Sequence, residues 1–260
     1  MRLGLVTLVV GFVSWSLSAA EPEHRLFELR TATAAPGKWP ALQARFKSHV
    51  VGLFERHGAE TVGYFLPADA KTQKVVYLLA FKDLESRDAT MAKIDKDAAW
   101  AKAFADSEAN GPLAKDVTST FLTATDYSPK IKTAVASAKK TFELRTYTST
   151  KGNLDALNDR FRGHTVKLFE KHGMTNFGYW LVANVPQPKT NPLPRESTLI
   201  YLLAHDSEAA AKKSFDAFRA DPVWVKAKAE SEKKAGGSLT EAKNGVLSEF
   251  LKPAEWTPKK

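Results

Sequence analysis

The sequence predicts an α+β protein made of two tandem βαββαβ units whose sheets pack against each other. Three observations predict it. Phe27-Glu28-Leu29-Arg30-Thr31 returns as Phe142-Glu143-Leu144-Arg145-Thr146 at an offset of 115, and about 21 of the 40 residues from Phe27 to Leu66 are identical at that offset. Val75-Val76-Tyr77-Leu78-Leu79-Ala80 returns as Leu199-Ile200-Tyr201-Leu202-Leu203-Ala204 at an offset of 124, so about nine residues (124 − 115) are inserted between the blocks of the second copy. Within each copy, apolar residues alternate in some segments and recur at three and four in others, the periods of strands and helices. A sheet covered by helices on one face leaves the other bare, and a second copy supplies the cover, closing sheet on sheet as a barrel.

Each copy justifies its own elements. Leu26 to Thr33 alternates, with Phe27, Leu29 and Thr31 on one face and Glu28 and Arg30 on the other, and reads as a strand. Leu42, Phe46, His49, Val50, Leu53 and Phe54 form the apolar stripe of a helix that Gly58 stops, as Gly173 stops its counterpart. Val62 to Leu66 and Val75 to Phe81 make a hairpin. A helical stretch from about Leu84 to Asp106 follows, in which the second copy's Asp221-Pro222 is a cap and first-turn proline. A last strand lies near Val117 to Ala124. The copies close alike, on Tyr127-Ser128-Pro129 and Trp256-Thr257-Pro258. This element order is the ferredoxin-like unit.

The expected organisation is a signal peptide over 1–20, a first domain over 24–128, a linker over 129–139 and a second domain over 140–258. Arg2, the apolar run Leu3 to Leu17 and the small residues Ser18, Ala19 and Ala20 are a secretory signal with cleavage after Ala20. The chain is therefore expected to be exported, periplasmic or extracellular, with no stable membrane insertion after cleavage. The absence of cysteine from 260 residues removes disulfides, thiolate metal sites and a cysteine nucleophile. The excess of 38 Lys and Arg over 29 Asp and Glu gathers partly in Lys130, Lys132, Lys139 and Lys140 and in Lys252, Lys259 and Lys260. Those are linker and terminus lysines without interleaved stacking aromatics, so no nucleic-acid partner is expected.

The residues FELRTY at 142–147, Gly178-Tyr179-Trp180, Asp221-Pro222 with Trp224, and Trp256-Thr257-Pro258 resemble the NIPSNAP family. The first copy resembles it as well. The resemblance implies a dimeric α+β barrel, a fold shared by antibiotic-biosynthesis monooxygenases, haem-binding peroxidases and muconolactone isomerase-like proteins; it implies no activity and no catalytic residues. Ala32 replaces the motif tyrosine of the first copy, His205 stands where an aromatic usually ends the third strand, and the Val182 to Ser197 loop is long, with Pro186, Pro188, Pro192 and Pro194.

The candidate catalytic residues are His49 and His164, each placed by a straight helix on the stripe facing the sheet, as a general base, a haem ligand or a packed polar anchor. His57 and His172, eight residues further on, lie about 12 Å away along the helix, too far to share a metal with them, and each is expected to favour its helix C-terminus. Glu28, Arg30, Glu143, Arg145 and Tyr147 are expected inside the barrel, either as cross-domain ion pairs or as an anion site. Tyr64, Tyr179, Phe65 and Trp180 are placed in the core or along a ligand pocket. Trp100 and Trp224 are assigned to the core. No metal site and no cofactor is expected, haem being the alternative. The expected protein is a monomeric pseudo-dimer that binds a small apolar or aromatic molecule, or a protein partner, without catalysis. The alternative is a cofactor-free oxygenase or isomerase, or a haem enzyme, using His164.

Overall fold

A computed structural model describes residues 23–132 and 140–258. The signal segment expected over 1–20, and the expected linker from Thr133 onward, lie outside the described residues. The first copy runs β1 (Leu26–Ala34), α1 (Trp39–Arg45), a π turn (Phe46–Val50), α2 (Val51–Arg56), β2 (Glu60–Pro67), β3 (Lys74–Phe81), α3 (Leu84–Asp95), α4 (Ala98–Ser107) and β4 (Ala114–Ala124). The second runs β5 (Thr141–Thr148), α5 (Leu154–Arg160), a π turn (Phe161–Thr165), α6 (Val166–Lys171), β6 (Thr175–Val182), β7 (Thr198–His205), α7 (Glu208–Ala220), α8 (Pro222–Ala235) and β8 (Val246–Pro253). The helical stretch expected as one from Leu84 to Asp106 is two helices. Asp97, in extended conformation, accepts the Trp100 N–H and restarts the chain as α4, and Asp221 does the same for α8 through the Val223 N–H.

The strands close into one barrel in the order β1-β3-β2-β8-β5-β7-β6-β4. The copies meet at two antiparallel seams. At one, Leu66 lies opposite Lys252; at the other, Thr123 lies opposite Leu181. The shared closing residues of each copy lock the other's second strand. The Thr257 hydroxyl donates to the Tyr64 carbonyl at 2.8 Å, and the Tyr179 N–H donates to the Ser128 hydroxyl at 3.1 Å. Pairing strands across copies removes the edges that each isolated sheet would expose.

The barrel interior is apolar. Phe27, Phe65, Leu78, Leu122, Phe142, Trp180, Leu202 and Leu251 fill it from both copies, leaving a void of about 10 Å³ with no polar wall, which stays dry. A register shift between Asn176 and Gly178 turns Tyr179 outward and Trp180 inward. Gly178 is required there, because a Cβ would lie 2.4 Å from the Trp180 ring. The charged first-strand residues are therefore not between the two sheets as expected. Phe27 and Leu29 take the interior, and alternation sends Glu28, Arg30, Glu143 and Arg145 to the outer face beneath the helices, where polar partners and partial hydration are in reach.

The second correction concerns the helices. His49 and His164 do not face the sheet; both are exposed. Each sits in a π turn, which contains one residue more than an α turn and advances the apolar row by one position. Val50 and Thr165 take the inward places instead. Below them, His57 Nε2 lies 2.9 Å from Asp97 Oδ2 and His172 Nε2 lies 2.8 Å from Asp221 Oδ2, so these rings join a helix end to the cap of a later helix rather than to their own terminal carbonyls. Asp97 is held down at about 2, chiefly by His57, the Trp100 N–H adding to it.

The long second-copy loop is tied down. Gln187 accepts the Phe121 N–H at 2.9 Å and donates to the Ala183 carbonyl at 2.9 Å, the Thr120 hydroxyl donates to Asn191 at 2.8 Å, and Leu193 packs on the barrel core. The inserted residues thus cover an end of the barrel.

Candidate functional site

Both copies build a charged cluster on the outer face of the first strand. In the first, Glu28 is fully buried and accepts from Arg87 at 3.0 and 3.1 Å and from the Ser119 hydroxyl at 2.6 Å, with Arg30 at 3.4 Å. Burial opposes its ionisation, but the bond from Arg87 and the charges of Arg30 and Arg87 prevail and hold the carboxyl below its usual range. The Arg30 guanidinium lies over the rings of Phe54 and Tyr77. Arg87 of α3 also lies over the Phe121 ring.

In the second copy, Glu143 accepts from Arg145 at 2.6 Å, lies 3.1 Å from His205 Nε2 and accepts from the Ser248 hydroxyl. Here too burial opposes the charge, and His205, Arg145 and Ser248 together lower the carboxyl pKa. Burial works against the Arg145 cation as well, but the Tyr201 and Tyr147 phenols and Glu143 outweigh it and raise its pKa. Arg145 lies 4.6 Å from the Phe215 ring centroid and 5.6 Å from that of Tyr147.

Arg145 and Tyr147 form the floor of a cleft of about 540 Å³ that opens between α7 and α8. Phe215, Phe218 and Trp224 supply its aromatic wall, the last two rings 4.4 Å apart. Arg219, Lys228 and Glu232 stand at its mouth. A concave, mainly apolar space with a few convergent polar groups is the form small-molecule sites take. A larger groove of about 710 Å³ runs along the first seam beside Pro67, Lys252 and Trp256, but half of its lining is alanine and proline and it lacks a buried charged floor.

Of the residues expected to form a site, the structure joins Glu143, Arg145 and Tyr147 at this cleft and Glu28 and Arg30 in the first-copy counterpart. Tyr64 and Tyr179 are buried beneath the helices, each stacked on the tyrosine of the neighbouring strand at 5.4 and 5.3 Å, and Trp180 is inside the barrel. Phe65 is there too. Trp224 lines the cleft, and Trp100 packs partly buried against the first-copy core. His164 borders a separate surface pocket of about 380 Å³ with Arg160. An exposed histidine provides no enclosed face for a haem, so neither His49 nor His164 fits that role. Among the described residues there is no cluster of histidines and carboxylates spaced for a metal, and no helix is long and apolar enough to cross a membrane. Sequence reasoning missed Phe215, Phe218, Lys228, Arg219 and Arg160. The signal was present at the offset of 124, where Lys228 stands against Phe104 and Ala211 against Arg87.

The closed barrel of two ferredoxin-like units with helices outside defines a dimeric α+β barrel protein, here with both halves in one chain. The family model NIPSNAP matches residues 27–129 and again 142–258; the chain belongs to the NIPSNAP family. Among solved structures, an anthrone oxidase-like protein is 11% identical, with 89% of this chain and 92% of that one covered and a TM-score of 0.55. A monooxygenase candidate from Lactobacillus acidophilus is 10% identical over 88% of this chain and 93% of that one, with a TM-score of 0.53. A NIPSNAP family protein of unknown function from Agrobacterium tumefaciens is 22% identical, covering 41% of this chain and 94% of its own, with a TM-score of 0.37. No protein of curated function matches.

Proposed function

We propose that this NIPSNAP protein is a noncatalytic binding module that holds a small apolar or aromatic molecule in the cleft between α7, α8 and β5. The observation that carries the reading is the cleft itself, where three aromatic rings surround a cationic floor on a rigid barrel. A catalytic reading built on His164 has less support, because that side chain is exposed on its helix and is not among the residues lining the cleft. Native mass spectrometry of protein purified from its own source tests the proposal. A retained small molecule that is lost in Trp224→Ala supports it; a molecule retained equally by that variant places binding elsewhere and overturns it.

The reading extends to the setting. The protein acts outside the cytoplasm as a monomer, its two copies using on each other the strand edges that a single-domain relative would need for a second chain. Mature protein beginning at Glu21 in an envelope or extracellular fraction, with a solution mass of one chain, is the expected result. An uncleaved cytosolic chain, or a stable mass of two chains, counts against it.

A further inference from the structure

We infer that the molecule held in this cleft is an organic anion, an aromatic body bearing a carboxylate whose charge meets Arg145 and Lys228. The inference rests on the cleft reading above and adds the ligand's chemical class. Duplication provides an internal control, since the same backbone carries different charges in the two copies. Where the second copy has Lys228, Arg219 and Tyr147, the first has Phe104, Asp95 and Ala32. Phe104 lies over Arg45, with its ring centroid 4.8 Å from the guanidinium, and Asp95 adds negative charge. Of the charged residues lining the second-copy cleft, Arg145, Arg219 and Lys228 are cations and Glu232 is an anion, and with Glu143 paired to Arg145 there is an excess of one cation. At the corresponding first-copy positions stand Arg30, Glu28, Asp95, Phe104 and Glu108, one cation against three anions.

The copies engage their arginines differently: on the first strand Arg145 lies 2.6 Å from Glu143 where Arg30 lies 3.4 Å from Glu28, and on the helix the order is reversed. Arg45 pairs with Glu108 at 2.7 Å and its counterpart Arg160 stands 3.5 Å from Glu232; Arg45 Nε and Arg160 Nε and Nη1 are buried without hydrogen-bond partners among the described residues. Arg145 Nε is buried and unpartnered, as are Nε and Nη1 of Arg30, so the difference between the copies lies in Lys228. Lys228 meets Glu232 only at 3.7 Å. Guanidinium and ammonium donors accept no hydrogen bonds themselves, so what they lack is an acceptor, and a carboxylate is the acceptor whose charge matches. The Phe218 and Trp224 rings, 4.4 Å apart and tilted by 36°, give an aromatic body its apolar surface.

The test compares three probes of one shape on the full mature chain by calorimetric titration: 2-naphthoate, neutral 2-naphthamide and cationic 2-naphthylmethylamine. The naphthoate is expected to bind about ten-fold more tightly than the amide, and the amine more weakly than either. Lys228 is 52% exposed, so Lys228→Gln and Lys228→Phe should keep the fold. Lys228→Gln should remove much of the naphthoate preference while leaving the amide unchanged, and Lys228→Phe, which restores the first-copy residue, should weaken both. Equal binding of naphthoate and naphthamide, with both lost in Lys228→Phe, overturns the anion class and leaves the cleft intact as a binding site. Naphthoate binding indifferent to both variants, or no probe bound at millimolar concentration, overturns the inference and the cleft reading together.

Discussion

The two copies share a backbone, yet they neutralise the first-strand glutamate from different directions. In the first, the counter-charge comes from a helix: Arg87 of α3 forks onto Glu28 and lies over the Phe121 ring, pinning the helical layer to the sheet. In the second, Ala211 occupies the corresponding place on α7 and is fully buried, while His205, at the position of Phe81, reaches Glu143 from the adjacent strand. Replacing the helix arginine by alanine, with a strand histidine as the carboxylate's partner, leaves α7 without an ion-pair tether to the floor. The space beside Arg145 then lies open between α7 and α8. A duplicated scaffold can thus change the partners of a buried charge, and the space beside it, by exchanging a few side chains.

The sharpest way to break this comparison is to remove both glutamates in turn. Glu28→Ala leaves two arginines buried around an absent partner and should cost about 3–5 kcal/mol. Glu143→Ala strands a single arginine beside a histidine and an open cleft, and should cost less. Urea denaturation of the two variants measures the difference, and equal losses would show that the two neutralisation schemes are energetically equivalent. Next in size is the barrel they share. Trp180→Ala should cost about 3–5 kcal/mol as a large-to-small core change, and Phe65→Ala, on the same interior, should fall in the same range in thermal or urea unfolding. A cost well below that for either would mean that the interior collapses around the loss.

Acid sensitivity sharpens the comparison further. Glu28 and Glu143 both have lowered pKa values in the fold, so their stabilisation is complete above the ordinary carboxylate range and is lost as pH falls through their folded values. Unfolding free energy should therefore decline below about pH 4, and Glu28→Gln should flatten the decline when melting is followed against pH. The smallest effects belong to His49→Ala and His164→Ala, which should change stability by less than about 0.5 kcal/mol, because both rings are exposed. Neither should alter ligand retention; a lost ligand in His164→Ala would restore that residue to the site.

Much of the fold was legible because duplication and periodicity are local. The FELRT repeat, the alternation of Phe27 and Leu29 against Glu28 and Arg30, and the Asp221-Pro222 cap each name an element without knowledge of its neighbours. The site was legible only in part. Arg145, Tyr147 and Glu143 were marked as charged residues that demand partners, but their side of the sheet was misassigned, since alternation says which residues share a face and not which face is buried by what. The histidines were misplaced for a different reason: a π turn leaves the residue types unchanged while shifting their phase, and nothing in His49 or His164 announces it.

By itself the sequence determined two copies, the order of their elements, and where charge and aromatic residues lie along each strand and helix, because those follow from short-range chemistry repeated in the chain. Only the tertiary structure decided that Phe27 and Phe142 face inward, that the closing residues of each copy clasp the other's second strand, and that Phe215, Trp224 and Lys228 come over Arg145. Those juxtapositions join residues far apart in sequence, and they are set by which apolar face the closed barrel can bury rather than by any property of the residues taken singly.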